Sequence, residues 1–198
     1  MWISEVEHQD FDYMIQWCKD NLTWEKNNVE EMWKTYNCFT LDHPTIQTLK
    51  KDIYKEYLTF MKELDKEPDE IYINGWFNIY DKDQGQSAHY HNHHDSTYLS
   101  GIVVLTQNDS ATDFLAPKAP NITFEFDNPF NYDVIEIQNH RGQLILFPQW
   151  TYHGVRKLKE DNRRVTIGFD IFTKSGMELI KKDYEENHMY KRAIKLSE

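Results

Sequence analysis

At 198 residues and 23.9 kDa, with 39% hydrophobic and 15% aromatic residues, the chain can bury a core without a disulfide or zinc staple and is too aromatic for a disordered linker. Seven glycines and six prolines exclude collagen-like and coil-like sequences, and no apolar run approaches the ~18–20 residues that span a bilayer. Asp and Glu (33) outnumber Lys and Arg (22), and a net charge of −11 repels phosphate backbones, so neither nucleic acid nor membrane is an expected partner. The N-terminus, Met1-Trp2-Ile3-Ser4-Glu5-Val6-Glu7, lacks a basic start and an apolar stretch. The expectation is a cytoplasmic protein with Cys18 and Cys38 as free thiols.

The first forty residues, rich in Trp, Met and Tyr, read as one or two short helices. Residues 45–64 place Ile46, Leu49, Ile53, Tyr57, Phe60 and Leu64 at three- and four-residue steps, an amphipathic helix with Pro44 in its first turn and Asp42 as its cap. From Ile71 the period becomes two: Ile71, Ile73, Phe77 and Ile79 alternate with Tyr72, Asn74, Trp76, Asn78 and Tyr80. Further strands are expected at 87–93, 98–105, 122–126, 134–138, 144–147, 152–156 and 164–172. Ser175-Gly-Met-Glu178 has the form of a capping box, opening a C-terminal helix that carries Leu179, Ile180 and Tyr184. The expected fold is mainly β with flanking helices, an antiparallel sandwich or jelly roll in one domain. Residues 1–69 form a helical buttress, 70–173 the β core and 174–198 a C-terminal helix that packs on the barrel or pairs two copies as a homodimer.

The chemistry concentrates in histidine. Four of the nine, His89, His91, His93 and His94, fall within six residues, with Asp95 beside them. In an extended segment His91 and His93 share a face, with His89 behind them. A strand end thus offers two imidazoles at once to a metal. A third donor, His153, follows the buried-strand run Gly142-Gln-Leu-Ile-Leu-Phe147 and Pro148. On the last strand, Arg164, Thr166 and Gly168 face one way and Val165, Ile167 and Phe169 the other. A guanidinium fork matches a carboxylate with two parallel hydrogen bonds, and a hydroxyl two residues on can donate a third.

Gly85 with His91-Asn-His93, and Gly142 with Pro148 and His153, resemble the two motifs of the cupin double-stranded β-helix. Two departures stand out: Thr97 and Tyr98 replace the expected glutamate, and Trp150 replaces the glycine after the proline. The pattern Trp76-Phe-Asn78, Gly85, His91-Asn-His93, Leu99-Ser100-Gly101, Gly142 to Pro148, His153 and Arg164-Val-Thr166 more closely resembles a family of 2-oxoglutarate- and iron(II)-dependent oxygenases of bacteria and tailed phages. The resemblance covers roughly residues 71 to 172.

That resemblance implies an Fe(2+) dioxygenase with 2-oxoglutarate as cosubstrate, hydroxylating a small molecule or a protein or peptide side chain with release of succinate and CO2. It implies His91, His93 and His153 as metal ligands, or His93, Asp95 and His153 with Asp95 in place of His91. His89 and His94 are then supporting or surface residues. Arg164 and Thr166 would anchor the far carboxylate of the cosubstrate, with Asn78 or Tyr80 hydrogen-bonding it, and residues 108–121 are the candidate lid. Two other readings remain open: a cupin-type metalloenzyme without 2-oxoglutarate, and a non-catalytic jelly-roll binding module.

Overall fold

The computed structural model describes residues 1–6, 10–26, 31–33, 35–91, 97–116, 133–183 and 189–197. Eight strands form the core: β4 (Ile71–Tyr80), β5 (Gln86–His89), β6 (Thr97–Val104), β7 (Ala111–Ala116), β8 (Asp133–Gln138), β9 (Gln143–Pro148), β10 (Tyr152–Val155) and β11 (Arg164–Thr173). They are divided between two antiparallel sheets, the larger carrying β9-β6-β11-β4 and the smaller β5-β10-β7-β8. This is the double-stranded β-helix that the family resemblance implies.

The N-terminal third is less purely helical than its composition suggests. Besides α1 (Phe11–Asn21) and α2 (Pro44–Glu63), it contributes β1 (Trp2–Glu5), β2 (Trp24–Lys26) and β3 (Glu31–Trp33). β1 pairs with β9 and β3 with β4, covering both edges of the larger sheet, while β12 (Ile194–Leu196) pairs with the start of β4. Covering edges removes unpaired N–H and C=O groups that would otherwise recruit another chain. Asn37 stitches these pieces together: its Nδ2 donates to the carbonyls of Ile73 and Arg192, and its Oδ1 accepts from the amides of Phe39 and Gly75.

The two faces of the larger sheet bury different cores. Ile71, Ile73, Phe77 and Ile79 of β4 and Val165, Ile167, Phe169 and Ile171 of β11 pack outward against Met14 and Cys18 of α1 and Ile46, Leu49, Ile53 and Tyr57 of α2. A smaller cluster of Ile102, Val104, Phe114, Ile137, Ile145 and Phe147 fills the barrel interior. Gly101 has to be glycine, because a Cβ there would sit 2.2 Å from the Phe169 ring, which lies edge-on against Phe39. Cys18 and Cys38 are free and buried, and burial pushes the Cys18 thiol up to about 12.

Several local expectations shift. The cap of α2 is His43, whose Nδ1 accepts from the Thr45 amide, because Pro44 at the first helical position places the cap one residue after Asp42. α3 (Lys174–Asp183) is capped by Thr173, whose Oγ1 accepts from the Gly176 amide, so Ser175 lies inside the first turn. The proposed lid, 108–121, contains β7, an inner strand of the smaller sheet; 117–121 and the strand expected at 122–126 lie outside the described residues. No described helix is long and apolar enough to cross a membrane.

Candidate metal centre

Strand pairing brings distant histidines together. In the smaller sheet His153 of β10 stands opposite His89 of β5, so both imidazoles point into the barrel. His91 follows two residues later on the same side, and its amide donates to the Gln149 carbonyl in the turn before β10. His89, His91 and His153 each offer one ligand atom, all within 4.8 Å of one another.

Their hydrogen bonds fix which nitrogen is free. His89 Nδ1 meets the Ser87 carbonyl at 3.1 Å, His153 Nδ1 the Thr151 carbonyl at 3.0 Å, and His91 Nδ1 the Asp170 Oδ1 at 2.8 Å. Carbonyl oxygens only accept, so Nδ1 of His89 and of His153 carries a hydrogen and, in the neutral ring, Nε2 presents a lone pair. The Nε2 atoms of His89 and His91 lie 3.2 Å apart. Two lone pairs facing at that distance repel unless a cation stands between them. Ligands about 2.1 Å from a metal in neighbouring octahedral positions are about 3.0 Å apart, so the spacing fits.

Burial favours the neutral form of His89 and of His153. His153 is 4% exposed and packs against Phe114 and Phe147, with ring centroids 6.0 and 4.7 Å away. Burial pushes His153 down to about 3, helped by the neighbouring His89 and His91; burial also lowers His89. A lowered folded-state value means that the unfolded chain binds the extra proton first as pH falls. The stability held by neutral His153 is therefore full above its ordinary value of 6.5 and lost as pH falls toward about 3. Urea unfolding of metal-free protein is expected to show a loss of up to about 1.4 kcal/mol per pH unit below 6.5 that His153→Gln removes; equal slopes in both proteins would refute this.

A second constellation lies along the barrel. Arg164 is 1% exposed, with Nη1 donating to Ser110 Oγ and the Ala111 carbonyl and Nη2 donating to Thr112 Oγ1 at 3.0 Å. Its Nε has no partner, and no carboxylate of the described residues pairs with it. Burial pushes the guanidinium down to about 10, so it stays charged at neutral pH. The Tyr80 ring lies 5.9 Å from its Cζ, and the Tyr80 hydroxyl donates to Gln86 Oε1. Thr166, opposite Asn78 on β4, is 2% exposed and next along the inward face. Gly168 then leaves room for neighbours: a Cβ would stand 2.9 Å from Trp76 Nε1 and 3.1 Å from Asn78 Nδ2. Thr112, which holds Arg164, and Phe114, opposite His153, are two residues apart on β7, about 7 Å of strand.

Of the residues picked out from the sequence, His91 and His153 meet at one point, and Arg164, Thr166, Asn78 and Tyr80 share the inward face of β4 and β11. His93, His94 and Asp95 lie outside the described residues. The third imidazole among the described residues is His89. Ser110 and Thr112 lie in the segment read as a lid, and Asp170 is a lone acid in an otherwise apolar stretch of the last strand. The signal for Asp170 was its phase, an even number of residues from Arg164 and thus on the inward face.

Fold and site together define a double-stranded β-helix with an imidazole cluster able to hold a metal and a buried cation beside it. A family model described as "Putative 2OG-Fe(II) oxygenase" matches residues 74–170. Residues 74–170, just under half of the chain, match this family of 2-oxoglutarate- and iron(II)-dependent oxygenases, a class of enzymes. An oxidoreductase of the 2OG-Fe(II) oxygenase family from Burkholderia pseudomallei superposes with a TM-score of 0.55 at 14% identity, over 81% of this chain and 76% of its own. HygX from Streptomyces hygroscopicus, solved with nickel, 2-oxoglutarate and hygromycin B bound, gives 0.60 at 12% identity over 87% and 82%. A prolyl hydroxylase from Trichoplax adhaerens, in complex with a hypoxia inducible factor oxygen degradation domain peptide fragment, gives 0.59 at 12% over 90% and 86%. At these identities the likeness is one of fold. No curated protein matches the sequence.

Proposed function

We propose that this enzyme hydroxylates a small molecule or a protein side chain, consuming 2-oxoglutarate and oxygen and releasing succinate and CO2. One oxygen atom enters the product hydroxyl and the other enters succinate, so the reaction balances without a further reductant. Iron(II) with 2-oxoglutarate supplies the oxygen activation; the chain supplies position, charge and dryness. His89, His91 and His153 would hold the metal through Nε2, with His93 as the alternative third ligand and Asp95 replacing His91 in a second arrangement. Phe114 and Phe147 exclude water beside His153. Arg164, with Thr166 and Asn78, would receive the far carboxylate, and Tyr80 would face its guanidinium.

One observation carries this reading: a fully buried arginine without a carboxylate partner among the described residues, on the same interior as three converging imidazoles. A buried unpaired charge is costly, and a dicarboxylate reaching from metal to arginine repays that cost. The hygromycin B and the peptide in the complexes of HygX and the Trichoplax enzyme support either substrate class. The test needs no substrate. Metal-free protein given iron(II) and 2-oxoglutarate without oxygen is expected to develop a visible charge-transfer band that requires both additions. Tight iron binding without that band would point to a cupin-type metalloenzyme, and absence of iron binding would sink both.

A further inference from the structure

A histidine ligates a metal as the neutral imidazole, so three of them as a ligand set bring no negative charge to a dication. The usual iron(II) set of two histidines and one carboxylate does. The missing charge lies one hydrogen bond further out. Asp170 of β11 is 0% exposed, and its Oδ1 accepts from His91 Nδ1 at 2.8 Å and from Ser100 Oγ at 2.7 Å. Its Oδ2 has no hydrogen-bond partner, and no Lys or Arg of the described residues pairs with it. A fully buried, half-satisfied carboxylate is costly in isolation. A cation on the far side of the His91 ring offsets that cost, because the ring conducts the attraction from Nε2 to Nδ1–H.

We propose that Asp170 is the positioning residue of the metal centre. It holds the His91 ring and tautomer, and it supplies through that ring the negative charge that an all-histidine set lacks. Ser100 in turn aims Asp170, its neighbour across β6 and β11. The proposal rests on the reading of the cluster as an iron site.

Asp170→Asn separates charge from shape, since an amide oxygen can still accept from His91 Nδ1. Anaerobic iron(II) titration of the full chain, without 2-oxoglutarate, is expected to show affinity reduced by about 10–100-fold. The iron(III)/iron(II) midpoint potential should move positive, because ferric iron loses more from the missing anion; a residue that only supported the fold would not move it. Ser100→Ala should shift both in the same direction by less, and it decides the matter if Asp170→Asn does not fold. Wild-type affinity and wild-type potential in the folded Asp170→Asn protein, or in Ser100→Ala if that variant alone folds, would overturn the proposal while leaving the iron site standing. A wild-type protein that binds no iron would overturn both.

Discussion

Replacing His89 with alanine is expected to abolish stoichiometric iron(II) binding, whereas His93→Ala should leave it near wild type. His89 is opposite His153 in the β5–β10 ladder, and its Nε2 is already 3.2 Å from that of His91. Its Nδ1 is tied to the Ser87 carbonyl of its own strand, so little side-chain entropy remains to be lost when a metal arrives. Removing such a ligand should exceed the ~10–100-fold cost of losing an outer hydrogen-bond partner. Anaerobic titration followed by metal analysis of the desalted protein reads the result. The reverse outcome, with His93→Ala empty and His89→Ala loaded, would give the ligand set to His91, His93 and His153. Loss in Asp95→Ala with retention in His91→Ala would give it to the carboxylate arrangement.

The sequence made this choice ambiguous for a geometric reason. His-x-His occurs twice, at 89/91 and at 91/93, and a period of two fits both equally well. Among the described residues, which do not include His93, pairing with His153, more than sixty residues away, and two backbone carbonyls that anchor Nδ1 atoms favour 89/91. Long-range pairing of that kind leaves no local trace. The inward face of β4 and β11 was legible because alternation alone assigns a face, and ten consecutive pairs from Arg164↔Tyr80 to Thr173↔Ile71 keep both strands in phase. β7 was not legible: Ala111-Thr-Asp-Phe-Leu-Ala116 has only Phe114 and Leu115 as large apolar residues, and its outward Asp113 is paired with Arg156, which follows the end of β10. β1 escaped notice because four residues are too few to show a period.

Arg164→Met is expected to raise the dissociation constant for 2-oxoglutarate on the order of 10²–10³-fold without destabilising the protein free of cosubstrate. Removing one partner of a buried, hydrogen-bonded charge pair costs about 2–5 kcal/mol, and each 1.4 kcal/mol is about a decade in affinity. The stability half follows from what the guanidinium leaves behind. Ser110 Oγ also donates to the Arg156 carbonyl at 2.8 Å, and the Ala111 carbonyl also accepts from the Arg156 amide at 3.1 Å. Neither of these groups, nor Thr112, whose Oγ1 donates to Asn139 Oδ1 at 3.5 Å, is orphaned by methionine, which fills similar space and removes a buried charge that pairs with no carboxylate among the described residues. Thermal melts should therefore show an unchanged or higher midpoint for the variant alone, and no rise on adding metal and 2-oxoglutarate where the wild type rises. Arg164→Lys keeps the charge but not the planar fork and should fall between the two. A methionine variant that melts well below wild type would identify Arg164 as a structural residue, and one that still binds 2-oxoglutarate with wild-type affinity would move the cosubstrate carboxylate elsewhere in the barrel.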